Sequence, residues 1–477
     1  LMDDGEPRDA RAWLAALEAQ AERAPASRPG WGPPVAEVRR LDAVPVPMAD
    51  GVEPNHDGNA VVLVRSADRL LRLDAETLSV AWDAGDIPGD VRWIGGGETL
   101  LIYSPSASTV WALDAATGKT RWRADAQPLF DGLPTARAAK DEVAPDRQVF
   151  LQIVQNRRDR DTPRGPLLAA DAGPWVVWAL RDGRVLAVRR SDGKLVWRRT
   201  LGIDSVTGIH LGEQGLTVRG VSGLGTDAAS GAVEVLDPQT GESLTGVIET
   251  AHARAPVHAE VVDHAVVIAS ATEVAAYQLD NGVLRWRTTI AGEAIAGGGW
   301  IDAAAAVFLD DKGSALGLDL DSGELRWRAA IGEGMADPVV AADPGGDGVP
   351  VLLSTNGVAR LDARDGPRWR DAIHLPHERF YTAAVSRQHV VVAGDDGGSL
   401  PIFGEVPDSI EAPPRVALFL LERDTGRIGD AYVLDLAPTP LRHELTRMTD
   451  RWLLLSNGEQ CVAVRGDAAT LPPPPPA

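Results

Sequence analysis

The chain has 477 residues, 44% of them hydrophobic and 24% charged, with a formal net charge of −21 and a single cysteine. That charge argues against general nucleic-acid binding, which needs a basic face to neutralise phosphate. One cysteine, Cys461, excludes an intrachain disulfide, a cysteine-based metal site and a haem attachment motif. No apolar run reaches the length of a membrane-spanning helix.

Residues 9–23 are rich in Ala, Glu and Arg and place Trp13, Leu14 and Leu17 on one helical stripe. Pro25 and Pro29 end the pattern, and residues 25–34 read as a Pro/Gly linker. The helix is expected to lie on the main body or to form the base of a membrane-anchoring or partner-docking segment. The Leu-Met start suggests a processed N-terminus, so an anchor upstream of residue 1 is expected.

From residue 35 onward the chain reads as short β-strands punctuated by Gly and Asp. One unit recurs, and Ala112–Trp122 (A-L-D-A-A-T-G-K-T-R-W) is its clearest copy. A strand ends at Asp114, whose carboxylate can accept backbone hydrogen bonds from the turn. Thr117 and Gly118 turn the chain, and the return strand carries Trp122. Further copies end at Trp82, Trp197, Thr245, Trp286, Trp327, Trp369 and Asp430, which makes eight. Their turn glycines are Gly193, Gly241, Gly282, Gly323, Gly366 and Gly426, with Leu78 in the Gly position of the first copy. Regular copies lie about 40–42 residues apart with two further strand-like runs between them, which is the size of a four-stranded propeller blade.

Two intervals are long. Insertions fall near 125–166, with the polar run N-R-R-D-R-D-T-P-R-G, and near 396–414, rich in Gly, Pro and Asp. After the last copy, 451–457 and 460–465 form a terminal hairpin for which residues 36–46 are the natural partner. The expected organisation is an N-terminal helix and linker over 1–34, an all-β, eight-bladed propeller over 35–466, and a Pro-rich tail over 467–477. In this count the terminal strands supplement the first blade, and the alternative count is nine. A Trp at a fixed place on each outer strand offers large area for burial against the neighbouring blade, worth roughly 2–3 kcal/mol. The arginines flanking it in R-W-R at 121–123, 285–287, 326–328 and 368–370 are expected to point away from the Trp face and charge the outer edge.

These units resemble the tryptophan-docking repeats of the PQQ-like β-propellers, whose pattern A-x-D-x-x-T-G-x-x-x-W is matched in full by Ala112, Asp114, Thr117, Gly118 and Trp122. The resemblance spans about residues 36–466 and implies the ring. It has two functional branches. One is the quinoprotein dehydrogenases, which hold pyrroloquinoline quinone and Ca²⁺ in the central funnel and oxidise alcohols or sugars. The other is the non-catalytic, BamB-type propellers, which present loops to a membrane-protein partner. A vicinal disulfide of the catalytic branch is impossible with one cysteine, and no haem motif offers an electron exit, so the resemblance favours the non-catalytic branch.

It implies no cofactor, no catalytic residue, an extracytoplasmic place in the periplasm or envelope, and protein partners met through 125–166, 396–414 and helix 9–23. Asp343 and Asp347 sit in a loop similar to a Ca²⁺-binding turn, but Gly345 stands where an oxygen ligand is needed, and a plain Gly-rich turn is the simpler reading. His252, His258 and His264, and the pair His374 and His377, match no zinc spacing.

Overall fold

The computed structural model describes residues 35–41, 44–46, 62–66, 69–74, 77–95, 97–136, 168–212, 214–224, 229–252, 254–290, 295–301, 305–332, 339–341, 351–353, 357–362, 365–369, 373–374, 380–385, 389–395, 416–434, 444–448, 452–456 and 461–466. The expected helix over 9–23, the linker, the Pro-rich tail, residues 396–414, Asp343 and Asp347 lie outside the described residues.

The described residues form nine antiparallel sheets, eight of four strands and one of five. Eight of them follow the chain directly. The unit of Ala112–Trp122, for instance, is Arg92–Gly95, Thr99–Ser104, Thr109–Asp114 and Thr120–Asp125 in that order. Its third strand is buried throughout apart from Asp114, whereas the fourth alternates between exposed and half-buried positions. The first strands of successive sheets lie against one another, as Ser205–Gly212 does against His258–Val262 and that strand against Ile295–Ile301. First strands therefore gather round a common axis, and fourth strands form the outer edges.

Each seam between sheets is a small hydrophobic core. Val177, Ala179, Val185 and Ala187 pack on Val206, Leu216, Val218 and Ala232, and the next seam joins Val233 and Val235 to Ala259, Val266 and Ala275. The alternation of each strand thus feeds two seams at once, which is why third strands read as unbroken apolar runs.

The first and last described strands meet as expected, but in a sheet of their own. Val35–Leu41 pairs antiparallel with Cys461–Gly466, and the sheet continues through Trp452–Ser456 to Glu444–Met448. The expectation that these strands supplement the first motif sheet is corrected here. That sheet already has four strands of its own, Val44–Pro45, Val62–Ser66, Arg69–Leu73 and Val80–Ala84. The two sheets meet instead face to face, with Leu454, Cys461 and Ala463 against Val64, Leu73 and Leu78. Burial there pushes the Cys461 thiol up to about 12, so it is a packing residue rather than a nucleophile.

A second irregularity is the split fourth strand after Asp362. Gly366–Pro367 pairs with Leu361 and Asp362, and Ile373–His374 pairs with Gly357 and Val358. Pro367 has no N–H to give to the ladder.

Candidate functional site: the seams and the loop face

Each motif turn is a small hydrogen-bonded knot. At the best copy, Asp114 Oδ1 accepts the backbone N–H of Thr117 at 2.9 Å and its hydroxyl at 2.9 Å, while the N–H of Gly118 donates to the Asp114 carbonyl at 2.8 Å. The other carboxylate oxygen accepts Nε and Nη2 of Arg121 at 3.2 and 2.7 Å. The hydrogen bonds from Arg121, then those from Thr117, hold the Asp114 carboxyl down at about 2. Asp319 is also lowered, by the Ser322 N–H first and by Arg326 among its further partners.

Arg121, Arg326 and Arg368 therefore fold back onto the motif carboxylates Asp114, Asp319 and Asp362. They remain exposed on the outer edge, as alternation leads one to expect, and are in addition tied to the turn carboxylates, which alternation does not anticipate. The ladder slips at this point: Ala112 faces Trp122 and Leu113 faces Thr120, which leaves Arg121 as the extra residue of a bulge.

A depressed carboxylate contributes stability that is present above its unfolded value, near 3.9, and is lost as pH falls through the folded value. Asp114→Asn is accordingly expected to lower the urea midpoint at pH 7, with the difference from the parent shrinking between about pH 4 and pH 2. Urea unfolding at several pH values checks this.

The six motif tryptophans sit on fourth strands or, for Trp369, between the two pieces of one, each over the turn of the sheet that follows. A Cβ placed on Gly118 would lie 2.6 Å from the Trp82 ring, and Gly193, Gly241, Gly323 and Gly426 stand at 2.8, 2.6, 2.4 and 2.6 Å from Trp122, Trp197, Trp286 and Trp369. Gly366 approaches Trp327 at 3.3 Å. The indole N–H groups are used in the same way. Trp82 donates to the Ala115 carbonyl at 2.8 Å, Trp122 to Arg190 at 2.7 Å, Trp197 to Pro238 at 3.0 Å, Trp286 to Leu320 at 2.7 Å and Trp369 to Arg423 at 2.8 Å. Every acceptor is the residue after the motif Asp position. The motif thus binds its own turn with its carboxylate and the preceding sheet's indole with the next carbonyl. At the seam where Thr245 replaces Trp, the Thr245 carbonyl itself stands 2.8 Å from the Cβ position of Gly282.

The quinone branch asks for Ca²⁺ ligands and a stacking indole in the funnel. Among the described residues no group of three or more His, Cys, Asp or Glu side chains is placed to hold a metal ion, and the motif indoles lie in outer seams. The histidines serve local contacts: Glu260 pairs with His258 at 3.2 Å and His210 at 3.8 Å, and His252 bonds the Thr272 hydroxyl at 2.7 Å.

Strand direction decides where the insertions attach. Motif turns join third to fourth strands, and so share a face with the connections from first to second strands. Residues 125–166 follow a fourth strand, and 396–414 join the second strand His389–Asp395 to the third, Val416–Glu422. Both leave from the face opposite the motif turns.

The beginning of the first insertion is packed down. Ala126–Phe130 is a short helix that the motif pattern does not signal, and Phe130 is fully buried. Arg198 donates to the carbonyls of Leu129 and Asp131 at 3.0 Å each, the Thr200 hydroxyl donates to Pro134 at 2.6 Å, and the Ala136 N–H donates to Asp182 at 3.0 Å. Among the described residues no helix is long and apolar enough to cross a membrane.

Comparison with known proteins agrees with this architecture. The family model described as outer membrane protein assembly factor BamB matches residues 106–298 and again 229–396, together more than half of the chain. Solved structures similar to it include BamB from Moraxella catarrhalis, at 14% identity over 91% of this chain and 99% of that one with a TM-score of 0.44. The computationally designed protein Ika8 is similar at 14% identity over 78% of this chain and 95% of its own, TM-score 0.49. Sqt1 of Saccharomyces cerevisiae follows at 8% identity, covering 77% and 92%, TM-score 0.45. No curated protein sequence matches the chain. With two overlapping family matches laid over a ring of four-stranded sheets, the chain belongs to the BamB-type family of PQQ-like repeat propellers.

Proposed function

We propose that this chain is a non-enzymatic, protein-binding propeller, an extracytoplasmic subunit of a membrane-associated envelope complex. The observation that carries the reading is how the repeat spends its chemistry. Five indole N–H groups are committed to carbonyls of the next sheet, and three motif arginines to carboxylates of their own turn. What repeats is used to close the ring. What does not repeat, the insertions at 125–166 and 396–414 and the segment 9–23, is left to meet partners, as loops on a rigid scaffold commonly do. Because 126–136 are stapled to the neighbouring sheet, the partner-facing part of the first insertion is 137–166.

The test pairs two measurements on the purified protein. Replacing 137–166 by a Gly/Ser linker is expected to leave the unfolding transition in place and to abolish co-purification with the membrane complex. Titration with pyrroloquinoline quinone and Ca²⁺ is expected to give no stoichiometric quinone absorbance. Quinone binding with dye reduction by alcohols would overturn the reading in favour of a quinoprotein oxidoreductase.

A further inference from the structure

Two departures from the motif converge on one turn, Gln278–Val283. The unit ending at Trp286 has Gln278 in the Asp position, and the preceding unit has Thr245 in the Trp position. The first departure strands a cation. Arg285 is the counterpart of Arg121, Arg326 and Arg368, each of which is paired with a motif carboxylate. Here the Gln278 side-chain oxygen accepts Nδ2 of Asn281 at 2.9 Å instead, and exposed Arg285 has no hydrogen-bond or ion-pair partner among the described residues. The second departure removes a donor. Leu279 occupies the position whose carbonyl takes an indole N–H at five other seams, but the Thr245 hydroxyl donates to Gly246 at 2.7 Å and accepts the Val235 N–H at 3.1 Å.

The same turn carries exposed apolar surface. Val283 is 54% and Leu284 43% exposed, and Val247 on the fourth strand of the preceding sheet is 38% exposed. Among the described residues, Arg285 is thus an exposed guanidinium without a carboxylate partner, directly after two exposed aliphatics, Val283 and Leu284. It is complementary to a carboxylate flanked by aliphatic side chains. Arginine meets a carboxylate with two parallel hydrogen bonds, and covering Val283 and Leu284 removes water from that pair and strengthens it.

We infer that Val283, Leu284 and Arg285 form a docking surface for an acidic, aliphatic segment of a partner protein. This rests on the protein-binding reading above and names a surface for it, on the outer edge of the ring and apart from the insertions. A second copy meeting this surface through its own equivalent patch would bring like charges together, and capture of a second copy by any other route is an outcome of the test.

The experiment is site-specific photocrosslinking of the full chain in its own cell. A photoreactive amino acid is placed at Val283, with Val80 (55% exposed on another fourth strand) as the control position and Phe150 in the first insertion as a second probe. Val283 is expected to capture a partner segment carrying Asp or Glu beside aliphatic residues, and Val80 is not. Arg285→Glu should lower the yield about tenfold or more, and reversing the captured carboxylate to Lys should restore it. Capture of a second copy, of a basic segment or of nothing at Val283, or failure of the charge exchange to restore it, overturns the inference. If Phe150 still captures a partner in that case, the protein-binding reading stands without this surface. Silence at both positions overturns both.

Discussion

Replacing Trp369 by alanine is expected to cost about 3–5 kcal/mol, the usual range for emptying a buried indole site. Trp369 is 2% exposed, lies over Gly426, and donates to the Arg423 carbonyl at 2.8 Å. Its removal opens a cavity at the seam where the Gly357–Asp362 unit meets the Val416–Glu422 unit. Trp369→Phe separates the two contributions. It keeps most of the buried area and loses only the N–H, and the Arg423 carbonyl still accepts Arg360 Nη1 at 3.2 Å. The phenylalanine variant should therefore lose about 1 kcal/mol. Trp122 is only half-buried, so its alanine variant should lose less than that of Trp369. Urea unfolding of the three variants ranks them.

Gly118→Ala is expected to be the most damaging single methyl in the second motif unit. The residue has φ +71°, a left-handed conformation that costs an L side chain about 1–2 kcal/mol. The added methyl would also stand 2.6 Å from Trp82 Cε3, inside any real carbon contact, which adds about 1–3 kcal/mol of overpacking. Gly97 provides the comparison: its φ is +96°, but a methyl there meets nothing within 4 Å. Gly97→Ala should cost only the backbone part. Equal losses at the two positions would mean that Trp82 does not rest on the turn.

Much of this ring is legible in the sequence because its units repeat a turn whose chemistry is local. Asp114, Thr117 and Gly118 are near one another in the chain, so their spacing alone announces the knot they form. The pairing of Val35–Leu41 with Cys461–Gly466 is legible for a different reason: two motif-free strand patterns at opposite ends need partners.

The features that the sequence hides are less local. Counting motifs gives eight units where nine sheets are described. The motif is the turn between third and fourth strands, and in the terminal sheet the fourth strand comes from the other end of the chain. No such turn exists there, so no motif can mark it. The pairing of Arg121 with Asp114 is hidden because alternation assumes an even ladder, and the bulge between Ala112 and Leu113 breaks it at Arg121. The helix Ala126–Phe130 is too short to show a helical period, and it is held by Arg198 and Thr200, about seventy residues onward.

The central claim is that the motif joins neighbouring sheets, with the indole of one seated on the turn of the next. The most direct measurement is a double-mutant cycle between Trp82 and Gly118, read by urea unfolding of the parent, Trp82→Ala, Gly118→Ala and the pair. With the indole gone, the methyl at residue 118 has room, so its cost should fall to that of Gly97→Ala, leaving the backbone part alone. A Gly118→Ala penalty that is the same with and without Trp82 would contradict the account.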